Sequence, residues 1–158
     1  MFSFRRSQSQ PELTASSLFD EKTFYKAFLD DLSRCKEEII IESPYITQVR
    51  MNMLWPVIDK LLLKKLKIYV MTRDPGEHEQ FMATQSEAEI RNFEACGVQT
   101  LICTGNHHRK IAILDRKILW EGSLNILSQC KSREIMRRIE GEQMAMQMFN
   151  FLKLGKFI

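Results

Sequence analysis

The stretch HHRKIAILDRKILWEGSLN, from His107 to Asn125, decides the fold of this chain. It holds two apolar runs, RKIAILD and KILWEG, which are joined by a short charged turn around Asp115 to Lys117. Two apolar runs separated by a short turn are typical of a β-hairpin. We therefore expect two paired strands here, which open on histidine and lysine and close on Gly-Ser-x-Asn.

The polar residues at the open end of this hairpin suit a phosphoryl group. Side chains two residues apart on a strand point to the same face, so His108 and Lys110 should project together. Gly122 allows close backbone approach at the end of the partner strand, while Ser123 and Asn125 offer a hydroxyl and an amide. An ammonium and hydrogen-bond donors stabilise phosphate oxygens, and an imidazole is a nitrogen nucleophile. This chemistry needs no metal ligands and implies no cofactor.

Upstream of the hairpin, helices and strands are predicted to alternate. Ser17 is the predicted N-cap of a first amphipathic helix that runs to about Lys36. The run EIIIESPYI predicts a buried strand, because three consecutive isoleucines precede a proline. A second helix is expected over Val49–Leu66, followed by a strand at KIYVMTRDPG.

The remaining segments complete an α/β pattern. Ser86 and Glu89 form a predicted capping box for a helix that Gly97 ends, and the run VQTLIC is the next predicted strand. Beyond the hairpin, EIMRRIE predicts a last strand and EGEQMAMQMFNFLK a closing helix. The alternating order predicts a mixed β-sheet that is flanked by helices on both faces.

Length and charge indicate one domain with a basic C-terminal part. The 158 residues are 44% hydrophobic and 27% charged, which fits a globular domain at residues 17–158 after a flexible arm at residues 1–16. From Leu101 onward, ten Lys and Arg face five Asp and Glu, a net charge of +5. The first hundred residues carry 13 against 15, a net charge of −2. A polyanion should therefore meet the C-terminal part.

Cysteine spacing and hydropathy point to a reducing compartment. The four cysteines form no CxxC pair and no zinc spacing, which favours free thiols in the cytoplasm. No segment has the length of a membrane span, and the N-terminus lacks the apolar core of a signal peptide. We therefore expect no membrane partner.

Two linked motifs and one downstream glutamate carry a specific resemblance. The motifs are HxKxxxxD at His108, Lys110 and Asp115, and GSxN at Gly122, Ser123 and Asn125. Glu134 opens the next predicted strand. Together these residues resemble the signature of the phospholipase D superfamily, and the predicted sheet and helices over Ser17 to Leu152 agree with that fold.

The resemblance implies a role for each motif residue. His108 would be the nucleophile that forms a phosphohistidine, Lys110 and Asn125 would bind phosphate, and Ser123 would lie in the same pocket beside Gly122. By the same resemblance, the enzyme is a metal-independent phosphodiesterase.

Three further residues belong to the expected site. Glu134 would accept a hydrogen bond from the second ring nitrogen of His108 and hold its tautomer. Asp115 belongs to the motif, but we expect it to hold loops near the site, because it lies at the far end of the strand from His108. Strand alternation would put Arg138 on the same face as Glu134, where it could bind substrate.

The resemblance also implies a second catalytic histidine, which this chain does not supply through a second HxK motif. His107 should face away from His108, and His78 has no lysine partner. We therefore expect an isologous twofold homodimer in which two copies of His108 share the work.

The substrate class is the least determined expectation. Members of the superfamily hydrolyse phospholipids, cleave nucleic acids, transfer phosphatidyl groups or only bind, so the motif does not choose among them. Small single-motif members resemble dimeric nucleases, and the basic second half favours cleavage of DNA or RNA. A lipid hydrolase is the alternative, and a solvent-facing apolar rim at the site would favour it. The third possibility is a nucleic-acid-binding or dimerising module of a larger helicase-like protein.

Overall fold

The computed structural model describes residues 15–158, which contain one seven-stranded β-sheet. The strands are β1 (Ala15–Asp20), β2 (Glu38–Glu42), β3 (Lys67–Arg73), β4 (Gln99–Cys103), β5 (Ile111–Leu114), β6 (Ile118–Gly122) and β7 (Ile135–Glu140). Their order across the sheet is β1-β7-β6-β5-β2-β3-β4. Strands β2, β3 and β4 run parallel, whereas β5, β6, β7 and β1 pair in antiparallel fashion. The predicted mixed sheet is confirmed.

Helices cover both faces of this sheet, as predicted. They are α1 (Phe24–Arg34), α2 (Gln48–Leu63), α3 (Gln80–Cys96) and α4 (Glu142–Phe151). In β2, Ile39 and Ile41 belong to the apolar cluster that packs with α1, α2 and α3, while Ile40 belongs to the cluster with α4. All five β2 residues are buried because both of their faces are covered, which explains the unbroken apolar run. No helix of residues 15–158 has the length and apolarity needed to cross a bilayer.

The hairpin forms where the sequence predicts it. Strand β5 pairs with β6 in antiparallel register, with Ile111 opposite Glu121 and Leu114 opposite Ile118. Strand β5 also pairs with β2, and β6 pairs with β7. The hairpin therefore occupies the centre of the sheet, and its open end lies beside Glu42, the last residue of β2.

The N-terminal segment differs from the prediction. Residues 1–14 of the expected arm lie outside the described residues, while Ala15 and Ser16 begin β1. Ser17 is a strand residue and not a helix N-cap, because β1 pairs along its whole length with β7. The helix starts at Phe24 instead, after a turn in which Asp20 Oδ1 accepts the amides of Lys22 and Thr23.

The third helix begins earlier than the sequence indicates. It starts at Gln80, so Ser86 and Glu89 are buried interior residues and the predicted capping box is wrong. Glu89 instead accepts a hydrogen bond from Trp55 Nε1 of α2 at 3.2 Å. The helix ends at Gly97 in a left-handed conformation with φ of 90°, as predicted.

A buried carboxylate joins α1 to the antiparallel half of the sheet. Asp31 is only 2% exposed and accepts hydrogen bonds from Trp120 Nε1 at 2.9 Å and from Arg138 Nε and Nη2 at 2.6 and 3.0 Å. Arg34, whose side chain is 71% exposed, contacts the same carboxylate at 3.2 Å. One anion therefore has an inner and an outer guanidinium partner, and these partners differ in burial.

We predict that Arg138→Ala lowers the free energy of unfolding by about 3 to 5 kcal/mol, because it leaves a buried carboxylate without its bidentate partner. Arg34→Ala is the matched control and should cost at most about 1 kcal/mol, since it removes an exposed contact to the same anion. Urea denaturation followed by circular dichroism measures both values. Equal losses in the two variants would contradict the assignment.

Candidate active site

The segment from His107 to Lys110 is an extended loop that leads into β5 and is held from one side by a buried acid. Glu42 is fully buried, and its Oε2 lies 2.6 Å from Arg109 Nε and 3.2 Å from His107 Nε2. His107 therefore contacts Glu42, while His108 and Lys110 line a cleft at the surface. Arg109 contacts Glu42 with its Nε but also borders the cleft, so the residue alternation expected of a strand is only partly kept in this loop.

One cleft of about 1150 Å³ gathers most of the predicted site. Its lining includes six of the eight residues expected from the sequence: His108, Lys110, Gly122, Ser123, Asn125 and Glu134. Their chemical roles stay predictions, but the arrangement puts an imidazole, an ammonium, a hydroxyl and an amide around one space. Such a set can bind a phosphate and offer it a nitrogen nucleophile.

Lys110 is the immediate neighbour of the candidate nucleophile. Its Nζ donates to the carbonyl oxygen of His108 at 2.6 Å and also contacts Nδ1 of the His108 ring. Partial burial, followed by the positive charges of Lys110 and Arg73, lowers the pKa of His108 below its ordinary value. The neutral, nucleophilic form of the ring is therefore favoured at neutral pH. Desolvation lowers the pKa of Lys110, and the negative charge of Glu134 opposes this shift.

The GSxN turn depends on a close approach of two strands. A Cβ at Gly122 would lie 2.1 Å from the carbonyl oxygen of Ile135, so no larger residue fits without moving β7. Ser123 completes the contact, because its amide donates to Ile135 O and its Oγ accepts from Ile135 N. Asn125 follows, and its buried Oδ1 has no hydrogen-bond partner among the described residues. That oxygen is available to orient toward a bound group.

Glu134 lies in the cleft but does not make its predicted contact. Its Oε1 accepts from Ser132 Oγ at 2.7 Å, and its amide donates to Glu21 Oε2 at 3.0 Å. No hydrogen bond joins Glu134 to His108 among the described residues, so the expected orienting bond is not seen in this structure and stays a prediction. The reason is that Glu134 belongs to the loop before β7, where its side chain turns back to its own segment.

Asp115 lies outside the cleft, at the opposite end of β5. Its carboxylate accepts hydrogen bonds from the backbone amides of Lys36, Glu37 and Glu38, each at 2.9 Å. The structure therefore does not bring Asp115 together with the other predicted site residues. The contacts describe the structural role expected for it, which is to hold the start of β2 against the hairpin.

Arg138 is also absent from the cleft. It faces α1 and forms ion pairs with Asp31 and Glu140, so the structure does not bring it to the cleft where the predicted substrate contact would be made. Because Glu134 precedes the strand, alternation along β7 gives the cleft to Arg137 instead.

The cleft has an apolar side that the motifs do not reveal. Leu18, Ile135 and Phe151 line it and are largely exposed, although they belong to β1, β7 and α4. Nothing in the motifs identifies these residues, because they come from distant parts of the chain. The alternation of side chains along β7 is the one sequence signal that could have identified Ile135.

We predict that the pKa of His108, read by ¹H–¹⁵N NMR titration of its ring, lies below its ordinary value of 6.5 and rises in Lys110→Met. Removing the neighbouring ammonium stabilises the imidazolium, so protonation begins at higher pH. Burial remains, so the rise should be incomplete. Lys117→Met, at the far end of the hairpin, is the control and should leave the titration unchanged. An unchanged curve in Lys110→Met would contradict this electrostatic coupling.

Solved structures that share the fold of this chain include a phospholipase D family member. Nuc from Salmonella typhimurium, described as a phospholipase D family member, has a TM-score of 0.74 at 13% identity over 89% of this chain and 92% of its own. NucT from Helicobacter pylori has a TM-score of 0.64 at 16% identity, over 89% and 94%. Phosphatidylserine synthase from Haemophilus influenzae Rd KW20 has a TM-score of 0.69 at 13% identity, over 92% and 39%. At these identities the likeness shows a shared fold.

A family comparison covers most of the chain. The family described as "Cardiolipin synthase, PLD-like domain" matches residues 28–153, which include both motifs of the hairpin. A search of curated proteins gives no match. Because the match spans well over half of the sequence, and because the mixed sheet is that of the similar structures, the chain belongs to this PLD-like family of the phospholipase D superfamily.

Proposed function

We propose that this chain is a nuclease that cleaves DNA or RNA through a phosphohistidine intermediate on His108. The carrying observation is the convergence of His108, Lys110 and Asn125 in a cleft with excess positive charge. Lys110, Arg133 and Arg137 line it against Glu121 and Glu134, a net charge of +1, while the charge of Arg109 is balanced by the buried Glu42. A phosphate backbone is attracted to such a surface.

The first chemical step follows from the neutral state of His108. A phosphate oxygen gives Lys110 an anionic partner in place of the His108 ring, which frees the ring lone pair. The nitrogen attacks phosphorus, a P–N bond forms and the P–O bond to the leaving strand breaks. Lys110 and the Asn125 amide stabilise the nonbridging oxygens, and a second, protonated histidine gives its proton to the departing oxygen.

The second step restores the enzyme. The second histidine, now neutral, accepts a proton from water, and the hydroxide attacks phosphorus as the P–N bond breaks. The product is a phosphate monoester and His108 is regenerated. No step uses a metal ion, so the reaction should proceed in EDTA.

A homodimer would supply the second histidine. Within this chain His107 is bound to Glu42, and His78 lies across Tyr45 from His108. The exposed apolar side chains of Leu18, Ile135 and Phe151 border the same cleft. Burying them against a second copy stabilises a twofold dimer and brings two His108 residues together.

We predict that Phe151→Glu converts a dimer to a monomer and lowers cleavage by at least about 100-fold, the usual contribution of a general acid. Phe151 is 80% exposed at the cleft, whereas the control Leu63→Glu changes a residue that is 83% exposed at the end of α2. Size-exclusion chromatography with light scattering measures the mass. If the wild type is a monomer in solution and still cleaves DNA, the dimer proposal is contradicted.

The test of the nuclease itself is cleavage of labelled single- and double-stranded DNA and RNA in EDTA. The wild type should cleave at least one of them, and His108→Asn should not, because an amide cannot form the phosphoenzyme. Binding without cleavage by the wild type would contradict the nuclease and favour a binding module.

A lipid phosphodiesterase is the second candidate, and the apolar side of the cleft is the observation that favours it. Leu18, Ile135 and Phe151 could contact an acyl chain while His108 and Lys110 meet the phosphate. Cleavage of phosphatidylcholine or phosphatidylglycerol in mixed micelles, with no cleavage of nucleic acid, would support this alternative. The cationic rim of Arg133 and Arg137 favours the nucleic acid.

A further inference from the structure

A second cavity adjoins the active-site cleft at Asn125, which lines both. Its volume is about 610 Å³. It is enclosed by the loops after β2 and β3, by the start of α3 and by the segment after the GSxN turn. Its lining residues are Tyr45, Thr47, Arg73, Glu77, His78, Glu79, Met82, Asn125, Ser128 and Cys130. A group attached to a phosphate at His108 can reach this cavity past Asn125.

An aromatic wall connects the cavity to the nucleophile. The Tyr45 ring lies 4.8 Å from the His78 ring and meets the His108 ring edge to face at 6.1 Å, both measured between centroids. Arg73 Nη1 lies 3.3 Å from the Tyr45 hydroxyl, and Arg73 Nη2 donates to Asn106 Oδ1 at 2.6 Å. Tyr45 is therefore held in place before any ligand arrives.

The charge of this cavity differs from that of the cleft. Arg73, its one cation, is paired with Glu77 at 3.0 Å, and Glu79 adds an exposed carboxylate. A further phosphate would meet a net negative charge here, whereas the cleft carries a net positive charge. The hydroxyls of Thr47 and Ser128 and the unpartnered Asn125 Oδ1 offer hydrogen bonds to an uncharged group.

We propose that this cavity is the subsite for the nucleobase of one nucleoside that flanks the scissile phosphate, with Tyr45 as its aromatic contact. The proposal rests on the proposed nuclease function. It assigns different parts of the substrate to the active-site cleft and to the cavity beside it. The cationic cleft takes the phosphates, and the acidic, aromatic cavity takes a neutral ring with hydrogen-bonding edges.

Binding of dithymidine monophosphate to His108→Asn tests the subsite without any turnover. Isothermal calorimetry compares this dinucleotide with two analogues in which a tetrahydrofuran replaces the thymidine sugar and base on one side or the other. Loss of the base from the side that enters the cavity should weaken binding about 5- to 150-fold, the range of base–aromatic stacking. Similar affinities for all three ligands would overturn the subsite.

Variants at Tyr45 connect this effect to the aromatic wall. In the same His108→Asn background, Tyr45→Leu should remove the difference between the dinucleotide and its abasic analogue. Tyr45→Phe should retain it, because the ring stays while the contact of the hydroxyl with Arg73 is lost. A difference that persists undiminished in Tyr45→Leu would overturn the assignment of Tyr45.

Two controls separate this proposal from the nuclease proposal. A base-dependent affinity with no cleavage of any nucleic acid by the wild type supports the subsite and contradicts the nuclease. Cleavage by the wild type with no base-dependent affinity supports the nuclease and contradicts the subsite. Glycerophosphocholine is the competing ligand, since an acidic, aromatic cavity also suits a quaternary ammonium, and tighter binding of it than of dithymidine monophosphate would overturn the nucleobase.

Discussion

The buried carboxylate of Glu42 is the constraint on which the arrangement of the cleft depends. Glu42 is the last residue of β2, a strand that is covered on both faces, where an unpaired charge is costly. Its carboxylate contacts Arg109 and His107 in the loop before β5. Because this attachment fixes the residues on either side of His108, it positions the His108 and Lys110 side chains at the cleft. A buried acid outside the lining of the cleft therefore sets the direction of residues that line it.

The short strand β5 is thus held at both ends by carboxylates. Glu42 holds the loop that enters it, and Asp115 at its exit accepts three backbone amides from the start of β2. Four residues of strand would slip easily in register if only ladder hydrogen bonds held them. The shape of the hairpin and the position of the HxK segment follow from these two anchors together.

Much of the architecture could be predicted because it depends on local pattern. The isoleucine run of β2 is short and β-branched and is followed by a proline, and the hairpin around Asp115 is two apolar runs joined by a short turn, so local sequence identifies both. Strand β1 could not be predicted, because it is stabilised by pairing with β7, more than a hundred residues away in sequence. The capping box at Ser86 failed for a related reason: a Ser and a Glu at that spacing also occur inside a helix when a neighbour such as Trp55 meets the Glu.

The site shows the same division. Motif residues that are close in sequence, such as Lys110 and Ser123, could be assigned to one cleft. Arg138 was expected at the cleft, but Arg137 lines it, because the start of β7 decides which of the two arginines faces the cleft. The pairing of β1 with β7 has one further consequence. Leu18 lines the cleft, and Glu21 Oε2 accepts a hydrogen bond from the Glu134 amide. Both residues belong to the first part of the described chain, whereas the residues that they contact, in β7 and just before it, are synthesised much later. During synthesis on the ribosome, β1 stays an unpaired strand and this wall of the cleft stays open until β7 has emerged.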